Sequence, residues 1–168
     1  INEAIFLKEK FGNIKFNKLE KNIIFKDLEF SYEKNKIVLN NLNFEIKKNN
    51  ITAIVGDSGS GKSTIADLIV GIIIPQKGEI IVNGVNINNL DINLFRKKIG
   101  YVSQDIFLFN DTVRNNLTWS VDEEIKDDHL WQALRLSKAY DFVWELPLKL
   151  DTVVGERGVQ LSGGQRQR

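Results

Sequence analysis

The segment GDSGSGKST, residues 56–64, combines three glycines with a lysine that is followed by two hydroxyl residues. It fits the pattern G-x-x-x-x-G-K-[ST], and its surroundings are those that the pattern requires. The apolar run ITAIV at 51–55 predicts a buried strand before it. Residues 62–72 carry one apolar stripe at helical spacing after it. A strand, this loop and a helix in that order predict a phosphate-binding loop and a nucleoside triphosphate ligand.

Each residue type in the loop suits a triphosphate. Glycines let successive backbone N–H groups turn toward an anion, and the following helix adds its positive dipole end. We expect Lys62 to contact the β- and γ-phosphates, Ser63 to bind Mg²⁺ and Thr64 to donate to the α-phosphate. A glycine turn with an unrelated lysine is the alternative, which the number of matching features disfavours. The predicted nucleotide-binding residues of this loop are Gly56, Asp57, Ser58, Gly59, Ser60, Gly61, Lys62, Ser63 and Thr64.

The segments on either side predict a sheet. From residue 23 onward, apolar and polar residues alternate around Leu28 and Phe30, and again from Leu42 to Ile46. A period of two predicts half-buried antiparallel strands. Further β-like runs lie at 79–82 and 99–102. Because the buried strand at 51–55, a helix and more strands follow one another, we predict an α/β fold with a parallel sheet behind an antiparallel entry.

Beyond residue 106 the pattern becomes helical. Ser120 and Glu123 fit a capping box, and Leu130, Ala133 and Leu134 form a helical stripe. The predicted divisions are a connector from a preceding region (1–22), a nucleotide-binding β/α core (23–105) and an α-helical subdomain (106–168). The sequence has no Met and begins at an isoleucine, so we expect a piece of a longer polypeptide.

Composition excludes several functions. The formal net charge of +1 disfavours a general nucleic-acid binder, which needs a basic excess to neutralise phosphates. The absence of Cys excludes disulfides, thiolate metal sites and a cysteine nucleophile. The longest apolar stretch, 68–74, contains Gly71 and is far shorter than the roughly 20 residues that span a bilayer. We therefore expect no membrane insertion by these residues themselves.

The segment LSGGQ at 161–165, taken with the phosphate-binding loop, resembles the signature sequence of ATP-binding cassette (ABC) proteins. The resemblance runs from about residue 23 to the end. FLFNDTVRNNL (107–117) and VGERGVQ (154–160) are similar to segments of the exporter branch. The resemblance implies the fold of the ABC-type ATPase: a P-loop NTPase core with an antiparallel β entry subdomain and an α-helical subdomain. It also implies ATP and Mg²⁺ as ligands.

The resemblance implies roles for residues outside the loop. FSY (30–32) resembles the family's aromatic loop, so Tyr32 is expected to stack on adenine; the alternative is an aromatic residue at a strand end. YVSQD (101–105) resembles the family's Q-loop, so Gln104 is expected to contact Mg²⁺ and the attacking water and to be catalytic together with Lys62. In the exporter branch, Glu156 and Arg157 lie near the transmembrane helices; a solvated loop is the alternative.

The signature implies a second nucleotide-binding domain. In the family two cassettes dimerise head to tail, and each ATP lies between the phosphate loop of one and the signature of the other. The residues expected to face the partner's ATP are Leu161, Ser162, Gly163, Gly164 and Gln165. A helix is predicted to start at residues 162–164 of this segment and to continue through QRQR. The family's next element ends in an aspartate that supports Mg²⁺ and a glutamate that polarises water, and it follows position 168. We therefore expect little ATP turnover from these 168 residues alone.

The function implied by the resemblance is ATP hydrolysis that powers export by a transmembrane partner, at the cytoplasmic face of a membrane. Two alternatives remain open: a non-transport ABC ATPase of DNA repair, chromosome organisation or translation, and an importer ATPase subunit. A P-loop small-molecule kinase would not need LSGGQ. His129 precedes the signature, unlike the family's switch histidine, and is predicted to be a surface histidine on a helix.

Overall fold

The computed structural model describes residues 11–33, 36–104, 106–121 and 123–168. They divide into two units, the first ending at Tyr101 and the second beginning at Val102. The boundary predicted from sequence lies slightly later, after residue 105. Within the described ranges no helix is both long enough and apolar enough to cross a membrane.

The first unit is built on a four-stranded antiparallel sheet. The strands are β1 (Asn22–Glu33), β2 (Lys36–Lys47), β3 (Lys77–Val82) and β4 (Val85–Asn86). They lie in the order β2-β1-β3-β4, and Phe25 of β1 lies opposite Phe44 of β2 and Ile80 of β3. The predicted alternation is confirmed, because Leu28 and Phe30 are buried while their neighbours are less so.

Helix α1 (Lys62–Ile69) follows the phosphate loop and packs Ile65 and Leu68 into the core of the first unit. It ends before the predicted residue 72, which is exposed. The reason is Gly71, whose φ of 70° leaves the helical region and so stops the helix. The side chain of Arg96 donates to the carbonyls of Val70 (3.1 Å) and Gly71 (2.6 Å), the kind of cationic cap that favours a helix C-terminus.

The strands predicted at 51–55 and 99–102 are not formed, and this part of the prediction is wrong. Residues 51–55 lie outside any strand, with Ile51 and Val55 almost fully exposed. A buried parallel strand exists only where neighbouring strands pair with its edges and helices cover its faces. Among the residues described, no strand pairs with this segment, so its apolar sequence alone does not make it a strand.

From residue 11, the stretch that was predicted as a connector packs on the first unit. Phe16 is buried and meets Phe95 edge to face, with ring centroids 4.9 Å apart. The N–H of Gly12 donates to the carbonyl of Asn88, and Ile14 forms a parallel bridge with Leu90. Residues 1–10 lie outside the described part of the chain. A 3-10 turn (Ile87–Asn89) and α2 (Ile92–Arg96) complete this side.

The second unit is helical, as predicted, around its own core of Val113, Leu130, Leu134, Ala139, Val143, Leu150, Val154 and Leu161. The capping box predicted at Ser120 and Glu123 is wrong, because the N–H of Val121 donates to Thr118 and still closes the preceding helix. Ala133 is exposed rather than part of the buried stripe. The helices are α3 (Val113–Thr118), α4 (Asp127–Leu136), α5 (Tyr140–Glu145) and α6 (Gly163–Gln167), with 3-10 turns at Lys149–Asp151 and Glu156–Gly158.

A charged fork joins three elements of the second unit. Arg114 on α3 donates from Nε to Asp151 Oδ1 at 2.8 Å and from both terminal nitrogens to Asp127, the first residue of α4. Bidentate arginine–carboxylate pairs have fixed geometry and are stronger than single ion pairs. The hydrogen bond from Arg114, opposed in part by desolvation, lowers the pKa of Asp127 below its usual value.

We expect Arg114→Met to lower the melting temperature of the protein at pH 7, because it releases both carboxylates. The folded-state pKa of Asp127 is depressed, so its contribution to stability is present above its unfolded value and is lost as the pH falls through the folded value. The difference in melting temperature between wild type and variant should therefore shrink below about pH 4. Circular dichroism melts between pH 7 and pH 2 measure this, and a difference independent of pH would contradict it.

Candidate nucleotide-binding site

The loop at 56–61 has the backbone shape of an anion cradle, and its residues 56–60 are open to solvent. Gly59 and Gly61 have φ values of 81° and 88°, in the left-handed region that glycine adopts without strain. The N–H of Ser60 donates to the carbonyl of Asp57 at 3.2 Å, which closes the turn. The first N–H groups of α1, which starts at Lys62, have no acceptors within the helix by its geometry. The loop therefore suits a phosphate-bearing ligand.

Lys62 lies folded over the loop. Its Nζ donates to the carbonyls of Gly56 at 2.9 Å and Asp57 at 2.6 Å, and it lies 3.4 Å from Ser60 Oγ. The backbone thus holds the ammonium group at the mouth of the turn, next to exposed N–H groups. A positive charge in this place attracts an anion into the loop.

The structure brings the predicted adenine-stacking residue to the phosphate-binding helix, although the two are 32 positions apart in sequence. The hydroxyls of Tyr32 and Thr64 are 3.1 Å apart and hydrogen-bonded. Thr64 is buried, whereas the Tyr32 side chain is largely exposed. Phe30 contacts the Tyr32 ring edge to face at 4.9 Å. The Tyr32 ring is therefore fixed at its hydroxyl and supported by Phe30, with much of its surface open to solvent.

The signature segment forms the start of α6. Ser162 is the N-cap, its Oγ accepting from the N–H of Gln165 at 3.2 Å. The side-chain oxygen of Gln165 accepts from the N–H of Ser162 at 2.8 Å, which completes a capping box. Leu161 is buried in the core of the second unit, while Gly163 and Gly164 are exposed. The predicted helix start at this segment is confirmed, and its glycines present bare backbone to solvent.

The remaining residues that were predicted from the sequence lie elsewhere in the second unit. Gln104 is exposed near the start of the second unit, and Asp105 lies outside the described residues. Glu156 is exposed in a 3-10 turn, and the side chain of Arg157 is likewise outside the description. His129 is exposed in the first turn of α4, which confirms the predicted surface position on a helix.

Few residues in the described part of the chain are candidates for binding magnesium. Across the described ranges no three His, Cys, Asp or Glu side chains gather as a metal site. Mg²⁺ in nucleotide sites is held largely by phosphate and water oxygens with one or two protein ligands. The exposed hydroxyl of Ser63, at the start of α1, is compatible with that arrangement.

Sequence reasoning missed one contact near the site. The hydroxyl of Tyr101 donates to Asp67 Oδ1 of α1 at 2.8 Å. The only local signal was the spacing, since Asp67 follows Ser63 by four positions and lies on the same face of the helix. Its partner is 34 positions away, beyond the reach of any pattern in the sequence.

This chain is a P-loop nucleotide-binding protein. The defining features are the left-handed glycines of the loop, Lys62 hydrogen-bonded to the loop carbonyls, and helix α1 directly after the loop. Residues 39–168 match the family described as ABC transporter. The chain belongs to that family. The family predicted from the loop and the signature is thereby confirmed.

Known proteins similar to the chain include ATP-binding proteins and an ATP-dependent flippase. It is 42% identical over 148 residues, 88% of its length, to the multidrug resistance ABC transporter ATP-binding and permease protein of Lactococcus lactis. It is 40% identical over 159 residues, 95% of its length, to the heterocyst differentiation ATP-binding protein HepA of a Nostoc species. Over 148 residues, 88% of its length, it is 39% identical to the ATP-dependent lipid A-core flippase of Idiomarina loihiensis. The chain spans about a quarter of the length of these relatives, 25%, 26% and 25% in that order.

A solved structure supports the fold. A bacterial Atm1-family ABC exporter with ATP bound superposes with a TM-score of 0.86 at 33% identity, covering 94% of this chain and 28% of that one. The predicted α/β fold class of the ABC-type ATPase is confirmed by this likeness, although the two core strands named above are not formed here.

Gly61 and Gly59 offer a matched test of the loop's packing. A Cβ on Gly61 would lie 2.8 Å from Leu39 Cδ2 and 3.1 Å from Val38 Cγ1, whereas one on Gly59 would have nothing within 4 Å. Both positions carry the left-handed strain of about 1–2 kcal/mol for a residue with a side chain. We expect Gly61→Ala to lower the melting temperature, measured without nucleotide, more than Gly59→Ala does. Equal losses would contradict the packing of the loop against β2.

Proposed function

We propose that this chain is the ATP-binding and ATP-hydrolysing domain of an ABC exporter. The observation that carries the proposal is the presence, in one chain, of two elements whose exposed backbone suits phosphate groups. One is the glycine loop with Lys62 held over its carbonyls, and the other is the capped helix start with exposed glycines at 163 and 164. The relatives named above include an ATP-binding and permease protein and an ATP-dependent flippase, and the superposed solved structure is an ABC exporter. These likenesses support the same assignment.

In this proposal the loop binds the triphosphate. Its N–H groups and the N-terminus of α1 surround the phosphates, and Lys62 exchanges its bonds with the Gly56 and Asp57 carbonyls for bonds with phosphate oxygens. Ser63 and Gln104 hold Mg²⁺, which when bound neutralises charge on the phosphates. Thr64 remains hydrogen-bonded to Tyr32. When its hydroxyl accepts from Tyr32, its own hydrogen is free to donate to the α-phosphate.

Tyr32 provides the base-binding surface. Its ring is anchored by the bond to Thr64 and by Phe30, so little rotamer entropy is lost when a base stacks on it. Stacking on an aromatic ring contributes about 1–3 kcal/mol and discriminates weakly between bases. The site should therefore accept ATP with modest preference over other nucleoside triphosphates.

The signature serves a second copy of the chain. Gly163 and Gly164 leave the backbone of α6 accessible, and the Ser162 hydroxyl, which accepts from Gln165, still has its own hydrogen to donate. This surface of one copy would cover the ATP that is bound in the loop of the other copy. Gln104 then assists the attacking water, and loss of the γ-phosphate removes the group that both copies hold.

A membrane domain is the proposed second partner. In the second unit, Phe107, Phe109 and Trp119 are exposed, and Phe109 contacts the other two rings edge to face, Phe107 at 5.2 Å and Trp119 at 5.1 Å. Phe109 and Trp119 also line a cavity of about 480 Å³. An exposed cluster of large aromatic side chains is typical of an interaction surface. Phe107 and Phe109 lie in the segment 107–117 that resembles exporters, which supports a transmembrane domain as the occupant.

The test uses the protein in its natural full length. After expression, we expect it in the membrane fraction, where it hydrolyses ATP in a Mg²⁺-dependent manner after reconstitution into lipid vesicles. A protein recovered free of membranes that binds DNA in a salt-dependent manner would contradict export and favour the non-transport alternative. Recovery in complex with a separate binding-protein-dependent permease would favour an importer instead.

A further inference from the structure

The hydrogen bond between Tyr101 and Asp67 occupies an unusual place in the chain. Tyr101 is the last residue of the first unit, and it lies in a segment without strand or helix. Its hydroxyl reaches Asp67 Oδ1 of α1 at 2.8 Å. The point at which the chain leaves the first unit is therefore tied by a side chain to the helix that begins at Lys62.

Asp67 lies on the same face of α1 as two residues of the phosphate-binding segment. It is four positions after Ser63 and three after Thr64, so all three share one face of the helix. A short helix moves as a rigid body, because its backbone hydrogen bonds link each turn to the next. Any displacement of Ser63 and Thr64 is consequently passed to Asp67 and, through the hydrogen bond, to Tyr101.

Tyr101 is also close to Gln104 along the chain. Three residues can span at most about 11 Å, so fixing Tyr101 limits how far Gln104 can lie from it. We propose that Asp67 and Tyr101 are positioning residues that couple the phosphate-binding helix to the segment carrying Gln104. The proposal rests on the function proposed above, in which Gln104 assists the attacking water.

The electrostatics of the pair agree with this role. Hydrogen bonding to Asp67, with smaller contributions from desolvation and from the charges of Asp67 and Tyr32, raises the pKa of the Tyr101 hydroxyl. The hydroxyl therefore keeps its proton throughout the physiological range and donates it to a carboxylate, an arrangement stronger than a neutral hydrogen bond.

The test compares Tyr101→Phe with wild type in the natural full-length protein. The variant removes one oxygen and keeps the ring, so folding should persist. We expect kcat for ATP hydrolysis to fall about three- to tenfold, while KM and the dissociation constant for a non-hydrolysable ATP analogue change less than about twofold. Tyr140→Phe in the second unit, which also removes a tyrosine hydroxyl but lies outside the site, is the matched control and should leave kcat unchanged.

Substitutions at Asp67 separate positioning from simple stability. Asp67→Asn keeps an acceptor oxygen and should retain most of the wild-type kcat, whereas Asp67→Leu should match Tyr101→Phe. The double variant Asp67→Leu/Tyr101→Phe should be no slower than either single variant, because both remove the same interaction.

Three results would overturn the inference: an unchanged kcat in Tyr101→Phe, equal losses in Asp67→Asn and Asp67→Leu, or losses that add in the double variant. If the wild-type protein itself neither binds nor hydrolyses ATP, the proposed function fails instead, and the two failures are thereby distinguished.

Discussion

Lys62→Ala is expected to reduce ATP hydrolysis at least about 100-fold, comparable to the loss of one preorganised donor to a developing negative charge. Nucleotide affinity should fall as well, because Lys62 supplies the positive charge that the loop carbonyls hold at its mouth. Isothermal titration with ATP and a phosphate-release assay, both on the natural full-length protein, measure the two effects separately.

Lys48→Ala is the control for this variant. Lys48 is exposed in the turn after β2, and its backbone N–H donates to the carbonyl of Lys21, so the substitution removes a positive charge without touching that bond. It should leave both hydrolysis and affinity unchanged. If Lys62→Ala retained wild-type affinity and turnover, the loop would not be the nucleotide site.

Gly163→Arg is expected to reduce hydrolysis at least about tenfold while the cradle of the same chain still binds ATP with unchanged affinity. The position has no left-handed φ, and a Cβ there would meet nothing within 4 Å. A large side chain therefore fits the isolated chain without strain. Any loss of activity must arise where a second copy approaches, because there the side chain obstructs the backbone of α6.

Thermal melts and ATP titrations distinguish this explanation from misfolding. The melting temperature of Gly163→Arg should stay within about 2 °C of wild type, since exposed substitutions rarely cost more than a fraction of a kcal/mol. Gln132→Arg, on α4 and also exposed in the second unit, should leave hydrolysis unchanged. Full activity in Gly163→Arg would mean that the signature glycine does not face nucleotide.

Local patterns predicted the features that local physics controls. The left-handed glycines of the loop and the period of two in β1 and β2 depend on neighbouring residues, and the structure has both. The helix start at Ser162 depends on a side chain three positions away and was likewise foreseen. The segment 51–55 could not be judged in this way, because an apolar run becomes a strand only through pairing with distant segments.

The contacts that order the site were beyond local patterns. Tyr32 was named from family resemblance, yet its bond to Thr64 joins residues from β1 and α1. Asp67 with Tyr101 and Arg114 with Asp151 join residues 34 and 37 positions apart. Such pairs follow from the tertiary arrangement of the chain, and the spacing of residues in sequence does not specify them.

The central claim, that each ATP is held by the loop of one copy and the signature of another, is tested most directly by mixing two inactive variants. In a head-to-tail dimer of Lys62→Ala with Gly163→Arg, one site combines both defects and the other combines an intact loop with an intact signature. Random assembly gives half mixed dimers with one intact site of two, so hydrolysis should recover to about a quarter of the wild-type rate. If the signature served the loop of its own chain, every site would carry a defect, and a mixture no more active than either variant alone would contradict the account.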